Sequence, residues 1–192
     1  MHMEGFKFDT SKLRKLNDPE RLEDIPPEYI KEKMNVQTPE VLLDIGAGTG
    51  FFSKEFTRFD GVRKVYALDI AEEMIDWMKT NLAPVNEKVI PMKMQESSVD
   101  LPDHIADGVI MINLHHEFHE PLELLQECRR LMKPGAKLAI VDWAKKDTEH
   151  GPPKEKRYTT DQVTDQLRQV GFTDVESFEE LPNHFLVVAG HR

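Results

Sequence analysis

The sequence has very little cysteine, since Cys128 is the single cysteine among its 192 residues. One cysteine excludes a disulfide within the chain and a zinc site built from several thiolates. It is also typical of proteins that work in a reducing compartment. The first residues lack the apolar run of a secretory signal peptide, and no stretch reaches the roughly 18 apolar residues of a membrane span. We therefore expect a cytoplasmic protein with no membrane partner.

Positive charge is also scarce, because 25 Lys and Arg residues stand against 35 Asp and Glu residues, a formal net charge of −10. A surface of this sign repels phosphate backbones and anionic lipids, so we expect no nucleic-acid partner. The length suits one domain, since a chain of this size buries roughly 70% of the surface that its unfolded form exposes.

Short β-rich segments alternate with amphipathic helical segments from Val41 onward. The alternation predicts right-handed crossovers and a parallel sheet covered on both faces. The last two strand-like segments are joined by only a few residues, so they must run antiparallel. The prediction is an α/β fold with a doubly wound, mostly parallel seven-stranded sheet and an antiparallel C-terminal hairpin. The predicted strands are Val41–Ile45, Lys64–Asp69, Lys88–Met94, Ala106–Asn113, Lys137–Asp142, Asp174–Phe178 and His184–Ala189.

The first 35 residues show no strand pattern. Two short helices are predicted there, at Ser11–Leu16 and Pro27–Met34, the second with a proline in its first turn. We interpret residues 1–35 as a helical lid over a ligand-binding domain of residues 36–192, with Phe6-Lys7-Phe8 as part of the lid. A surface arm without function is the alternative.

The helical segments between the strands have clear apolar faces. The segment after the second strand predicts such a face from Met74, Ile75, Met78 and Leu82. A later helix begins after Pro121, and Pro134-Gly135 is predicted to end it. Its apolar face is formed by Leu124, Leu125, Cys128, Leu131 and Met132.

A glycine-rich loop follows the first predicted strand, in the segment Asp44-Ile45-Gly46-Ala47-Gly48-Thr49-Gly50. Glycines allow a tight turn and let a ligand approach the main chain, and the carboxyl end of such a strand is where doubly wound sheets bind ligands. A dinucleotide fingerprint would need its third glycine where Phe51 stands. No lysine follows as in a phosphate-binding Walker loop. The charge of Asp44 would repel a pyrophosphate and attract a cation.

This loop resembles motif I of the class I S-adenosylmethionine-dependent methyltransferases. Four further segments resemble that family in the expected order, over about residues 40 to 145. They are Val65–Ile70, in which the second strand ends with the acid Asp69, Met94–Ser98, Ala106–His116, and Leu131–Ala136, where Ala136 replaces a family glycine. The resemblance implies a Rossmann-like fold and a domain of residues 36–192 that binds S-adenosylmethionine and its product S-adenosylhomocysteine.

The same resemblance implies a set of cofactor-binding residues. The glycine loop would pack against the methionine part of the cofactor, and Asp69 would accept both ribose hydroxyls, which suits a carboxylate. The segment after the third strand would contact the adenine, although the family's usual aspartate is shifted or replaced there. Ile70 either lies against the adenine or is buried under the sheet. The full predicted set is Asp44, Gly46, Ala47, Gly48, Asp69, Ile70, Glu96, Ser97 and Asn113.

Three histidines follow the fourth predicted strand, in the segment His115-His116-Glu117-Phe118-His119. His115 and His119 are four residues apart, which is compatible with one helix face, but the H-E-x-x-H pattern of a zinc site is absent. We therefore predict no metal site. His115, His116 or His119 could act as a general base at neutral pH, and the sequence does not favour one of them.

The interpretation that the resemblance favours is an enzyme that transfers a methyl group from S-adenosylmethionine to a small-molecule acceptor by in-line displacement. Within the family, the chain looks most like the quinone-biosynthesis methyltransferases, and it lacks the several cysteines that arsenite methyltransferases use. A homodimer is left open. The alternatives are a non-catalytic module that binds S-adenosylmethionine or S-adenosylhomocysteine, and an NAD-dependent oxidoreductase on a similar sheet.

Overall fold

One seven-stranded sheet forms the centre of the protein. The computed structural model describes the backbone of residues 10–192 and the side chains of residues 13–192, so Phe6-Lys7-Phe8 lies outside it. The strands are β1 Val41–Ile45, β2 Lys64–Asp69, β3 Val89–Lys93, β4 Ala106–Ile112, β5 Met132–Trp143, β6 Thr173–Phe178 and β7 His184–Gly190. Their order across the sheet is β3-β2-β1-β4-β5-β7-β6.

The directions of the strands confirm the predicted fold class. The first five strands pair in parallel, because β1 lies between β2 and β4, and β3 and β5 extend the two sides. β7 runs antiparallel to both β5 and β6. The hairpin therefore inserts one antiparallel strand, and β6 again points the same way as β5. This is an α/β fold with a mostly parallel sheet.

Helices cover both faces of the sheet. The helices are α1 Thr10–Leu16, α2 Arg21–Asp24, α3 Pro27–Met34, α4 Phe51–Phe56, α5 Glu72–Asn81, α6 Leu122–Leu131 and α7 Thr160–Gln169. One face packs against α3, α4 and α5, and the other against α6 and α7. The predicted apolar face of α5 is buried as expected. None of the helices within residues 10–192 is long and apolar enough to cross a membrane.

The third helix is part of the core. Ile30 and Met34 on α3, together with Ile25 before it, are buried in the same apolar cluster as Leu42 and Phe52. Burial of aliphatic side chains of this size contributes about 1.5–3 kcal/mol each. α3 therefore cannot be part of the predicted lid, and of the described residues before Met34 only α1, α2 and the turn between them can form it.

The junction between α6 and β5 differs from the prediction. α6 ends at Leu131, and Met132 already pairs with Ala106 of β4, so Pro134-Gly135 lies within β5 instead of ending a helix. Gly135 has a φ of 87°, and the β4–β5 register shifts between Ala106 and Gly108. A bulge of this kind accommodates a proline that cannot donate a ladder hydrogen bond.

Candidate functional site

The predicted site residues converge at the carboxyl ends of the parallel strands. The strand order reverses between β1 and β4, and the loops that follow these two strands leave the sheet on opposite faces. Such a reversal opens a crevice above the sheet, which is the usual ligand site of doubly wound folds.

The glycine loop after β1 has the conformation that its sequence indicates. Gly46, Gly48 and Gly50 all have positive φ values, 73°, 57° and 72°. A Cβ atom at Gly46 would lie 2.7 Å from the side chain of Leu114, which leaves no space for a larger residue. The backbone N–H groups of Gly46 and Ala47 both donate to the carbonyl of Leu68, at 2.8 Å, and so fix the loop to β2.

Asp69, at the end of β2, holds the glycine loop directly. Its Oδ2 accepts a hydrogen bond from the Gly48 N–H at 2.8 Å, and its Oδ1 accepts one from the Ala71 N–H at 2.9 Å. A carboxylate has about four acceptor positions, so two remain for a ligand. The two segments that the sequence singles out, 21 residues apart, thus form one structure.

Asp44 lies beneath the glycine loop and is 3% exposed. The hydroxyl of Ser53 on α4 donates to its Oδ2. Burial raises the pKa of Asp44 to about 7, and the charge of Asp69 adds to this, while the Ser53 hydrogen bond and the charge of Arg21 oppose it. The sequence suggests a plain negative charge at this position. In the structure, the pKa of this carboxyl group is about 7 even with the charge of Arg21 nearby.

The predicted adenine contacts lie beside Asp69. Ile70 is 58% exposed, which leaves an apolar surface next to the carboxylate. The loop after β3 begins there, because the Met94 N–H donates to the Asp69 carbonyl at 3.0 Å. Glu96 is exposed on this loop, whereas the hydroxyl of Ser97 donates to Glu123 on α6 at 3.1 Å. Ser97 is therefore bound to α6 in this structure.

Asn113 follows β4 with a φ of 55°, a left-handed conformation that asparagine tolerates better than most residues. Its backbone N–H donates to the Val141 carbonyl at 2.9 Å. Its side-chain Oδ1 is buried and has no hydrogen-bond partner among the described residues. A buried acceptor without a partner is uncommon and indicates a place for a ligand or water.

The N-terminal helices lie over this crevice. The side chain of Leu16 packs against the glycine loop, 3.6 Å from the position that a Gly48 Cβ atom would take. The hydroxyl of Thr49 donates to Asn17 at 3.1 Å. The guanidinium of Arg21 lies over the rings of Phe51 and Phe52, with its carbon 5.5 and 4.7 Å from their centroids.

A cavity of about 760 Å³ opens between these helices and the ends of β4 and β5. Asn113 after β4, Trp143 at the end of β5 and His184 at the start of β7 form its floor. Six charged side chains of the described part of the chain surround it: Lys15, Asp18, Glu20, Arg21, Asp24 and Glu149. Its volume lies in the range of natural small-molecule pockets.

The three histidines after β4 have different surroundings. His116 Nδ1 lies 2.7 Å from Oδ1 of Asp142, and the His116 backbone N–H donates to Oδ2 of the same residue. Burial lowers the pKa of His116, but the hydrogen bond and charge of Asp142 and the charge of Glu117 outweigh this and raise it above its usual value. His115 is buried against Gln166, and burial lowers its pKa. His119 is exposed.

Arg157 organises the loop that follows β5. It is 5% exposed, and its guanidinium donates to the carbonyls of Ala144, Lys146, His150 and Pro152 and to the hydroxyl of Thr148. Glu149, His150 and Gly151 of this loop line the large cavity. A single buried side chain thus holds one wall of that cavity in place.

Several of these residues carry no pattern that the sequence reveals. Arg21, Arg157 and His184 act through tertiary contacts far from their own positions in the chain, whereas Ser53 lies nine residues after Asp44, its hydrogen-bond partner. Within residues 10–192 no group of three or more His, Cys, Asp or Glu side chains is arranged to hold a metal ion.

Comparison with known proteins gives consistent matches. Residues 43–140 match the family described as Methyltransferase domain. A SAM dependent methyltransferase of Aquifex aeolicus has a solved structure that is 36% identical, with a TM-score of 0.86, and the match covers 95% of this chain and 98% of that chain.

Two curated proteins match at lower identity. The uncharacterized methyltransferase YdaC of Bacillus subtilis is 20% identical over 144 residues, which cover 75% of this chain and 77% of that protein. The ubiquinone/menaquinone biosynthesis C-methyltransferase UbiE of Paraburkholderia xenovorans is 29% identical over 161 residues, which cover 81% of this chain and 58% of that protein. The chain thus spans little more than half the length of the second relative.

Proposed function

The chain belongs to the methyltransferase-domain family and is an S-adenosylmethionine-dependent methyltransferase, and we propose that its methyl acceptor is a small molecule. The proposal for the cofactor site rests chiefly on one observation. The Gly48 N–H donates to the Asp69 carboxylate, so the glycine loop and the acid of the neighbouring strand present one continuous surface.

The residues along this surface fit the cofactor. Asp69 retains acceptor positions for the ribose hydroxyls. Exposed Ile70 offers an apolar surface for the adenine. Glu96 and Ser97 on the next loop remain predicted adenine contacts. For this contact Ser97 would have to break its hydrogen bond to Glu123. Asp44, Gly46, Ala47, Gly48 and Asn113 are proposed to hold the methionine part.

When bound, S-adenosylmethionine supplies a methyl group that is activated by the positive charge on its sulfur. The protein then needs chiefly to hold the two reactants in line, which contributes up to roughly 7–11 kcal/mol relative to free encounter. The rigid loop between β1 and α4 performs this alignment in the proposed site. α1 and α2 form a lid that limits the access of water, with Leu16 packed on the loop.

The cavity beside the glycine loop supports a small-molecule acceptor. Its volume of about 760 Å³ suits a compact organic molecule, and it opens where the methyl group would be presented, between Asn113 and the N-terminal helices. One relative is named for ubiquinone and menaquinone biosynthesis, which supports a small molecule as the class of acceptor.

The pair formed by His116 and Asp142 supports proton removal from an acceptor that must lose one. Asp142 orients the imidazole through its Nδ1 and leaves Nε2, which lies 3.2 Å from Glu117, as the nitrogen that can take a proton. A positioned base of this kind contributes typically 10²–10⁴-fold to the rate. We propose His116 as the base, and because it is not among the described residues that line the large cavity, the acceptor must extend beyond that cavity to reach Nε2.

The first experiment is calorimetric titration with S-adenosylmethionine and S-adenosylhomocysteine, with NAD as the control ligand. We expect micromolar binding of the first two and none of NAD. Asp69→Ala should lose about 1.5–3 kcal/mol of binding free energy, the usual loss for hydrogen bonds to a charged group. Asp76→Ala, at an exposed position on α5, is the matched control and should bind like the wild type.

The outcomes separate the alternatives. Binding of NAD alone would support the oxidoreductase interpretation, and binding of S-adenosylmethionine without turnover on any acceptor would support a non-catalytic module. An Asp69→Ala variant with wild-type affinity would place the ribose contact elsewhere. A cytoplasmic location stays a prediction that fractionation of cells would test, and a homodimer is tested by sedimentation.

A further inference from the structure

His184 occupies an unusual position at the start of β7. It pairs with Trp143 across the antiparallel β5–β7 ladder, and the two rings pack with their centroids 4.3 Å apart. Its ring lines the large cavity and also a smaller one of about 250 Å³, which is bordered by Tyr158 and Phe185. The imidazole lies between these two cavities, but its nitrogens are buried, so the ring must turn before a ligand in either cavity can contact them.

The ring of His184 has unused hydrogen-bonding capacity. The residue is 2% exposed, and neither Nδ1 nor Nε2 has a hydrogen-bond partner within the part of the chain that the structure describes. A neutral imidazole carries one donor and one acceptor, and burying both without partners is costly. Native proteins keep such groups mainly where a ligand, an ion or water completes them.

The charge state of the ring fits a hydrogen-bonding role. Asp24, Asp142, Arg21 and Arg157 all face it, two of each sign. Burial lowers the pKa of His184 to about 4, so the ring is neutral under physiological conditions. A neutral imidazole can both donate to and accept from a ligand.

The rest of the large cavity indicates what charge that ligand carries. Asn113, which the proposed function assigns to the cofactor, also lines this cavity, so the acceptor and the cofactor would meet there. Of the side chains that the structure describes, four acidic and two basic ones surround the opening: Asp18, Glu20, Asp24 and Glu149 against Lys15 and Arg21. This balance disfavours an anion.

We propose that the His184 ring turns into the large cavity and contacts the methyl acceptor, and that this acceptor is a neutral or cationic molecule whose hydroxyl or amine group hydrogen-bonds to the imidazole. The inference rests on the proposed function, because it assigns the large cavity to the acceptor. It adds the residue that selects the acceptor and the charge that the acceptor carries.

The test uses the full chain saturated with S-adenosylhomocysteine and three matched probes. Tyramine, 4-ethylphenol and 3-(4-hydroxyphenyl)propanoate share a phenol and differ in carrying a cation, no charge and an anion. Nuclear magnetic resonance of isotope-labelled histidine rings reports contact with His184, whose signal is assigned by its loss in a His184→Phe variant. We expect tyramine and 4-ethylphenol to shift this signal and the anion to bind more weakly.

Two variants then distinguish hydrogen bonding from packing. His184→Phe keeps a flat ring against Trp143 and should weaken the binding of tyramine about tenfold, the size of one lost hydrogen bond. His184→Gln keeps a donor and an acceptor and should restore much of it. Both should bind S-adenosylhomocysteine as the wild type does.

Each contrary outcome overturns a stated part of the proposal. Equal tyramine affinity in the wild type and His184→Phe would reduce His184 to a packing residue, and if that variant does not fold, the loss of the signal in His184→Gln assigns the ring and its shift in the wild type decides the same point. Stronger binding of the anion would overturn the charge assignment. Absence of binding by all three probes, in protein that binds S-adenosylhomocysteine, would overturn the inference alone. Failure to bind S-adenosylhomocysteine would overturn the proposed function.

Discussion

Nδ1 of His116 lies 2.7 Å from Oδ1 of Asp142, so the ends of β4 and β5 hold a buried histidine–aspartate pair. Because an ionised carboxylate only accepts, Nδ1 carries the hydrogen, and Nε2 is the basic nitrogen. The net effect is a pKa of His116 above its ordinary value. Such a group stabilises the fold most below the pKa of the unfolded chain, about 6.5, and less as the pH rises through its raised value.

We therefore predict that His116→Gln destabilises the protein more at about pH 6 than at about pH 9. The free energy of unfolding in urea, measured for both proteins at each pH, checks this. His119→Gln, at an exposed position on the same segment, is the control and should show no such difference. A loss that is the same at both pH values would mean that the pair does not stabilise the charged ring.

The close packing of the glycine loop gives a prediction about stability. Gly50 has a φ of 72°, and a Cβ atom there would lie 2.6 Å from Leu82 and 2.9 Å from Met78. Gly135 has a similar φ of 87°, but no described atom lies within 4 Å of its Cβ position. Gly135→Ala should thus cost about 1–2 kcal/mol for the backbone alone, and Gly50→Ala about 1–3 kcal/mol more for the overlap.

Thermal and urea unfolding of the two glycine variants measure this difference directly. Equal losses would show that Leu82 and Met78 move aside without cost. In that case the third glycine of the motif would serve the backbone conformation only.

The lid interpretation gives a prediction about kinetics. Leu16 packs on Gly48, so Leu16→Ala should leave the fold intact and speed the dissociation of S-adenosylhomocysteine about fivefold, which corresponds to about 1 kcal/mol. Arg14→Ala, at an exposed position on the same helix, is the control. Stopped-flow displacement measures both rates. A rate equal to that of the wild type would favour a surface arm without function.

The sequence predicts most of the fold and the centre of the site, because both follow from local patterns. The alternation of apolar segments predicts the seven strands, and the glycines and Asp69 meet because parallel strands end at one edge of a sheet. Pro134-Gly135 misleads for a related reason. Both residues end helices far more often than they lie in strands, and only the pairing of Met132 with Ala106 explains their position.

The residues that line the acceptor cavity could not be predicted from local patterns. His184 reaches the cavity through the register that pairs it with Trp143, 41 positions earlier in the chain, and a sequence does not specify that register residue by residue. Arg157 is likewise one arginine in a charged segment. Its role depends on five loop residues that fold around it.

Arg157 provides the last prediction, because one buried guanidinium fixes the loop from Ala144 to Pro152 that forms a wall of the large cavity. Arg157→Lys keeps the charge but cannot reach the same acceptors with a single ammonium group. We expect faster hydrogen exchange in this loop and weaker acceptor binding, with unchanged affinity for S-adenosylhomocysteine, whose proposed residues lie at the ends of β1 to β4 and outside this loop. Arg168→Lys, at an exposed position on α7, is the control. Unchanged exchange in Arg157→Lys would show that the loop is held by other contacts, and an equal loss of S-adenosylhomocysteine affinity would show that the two sites are not independent.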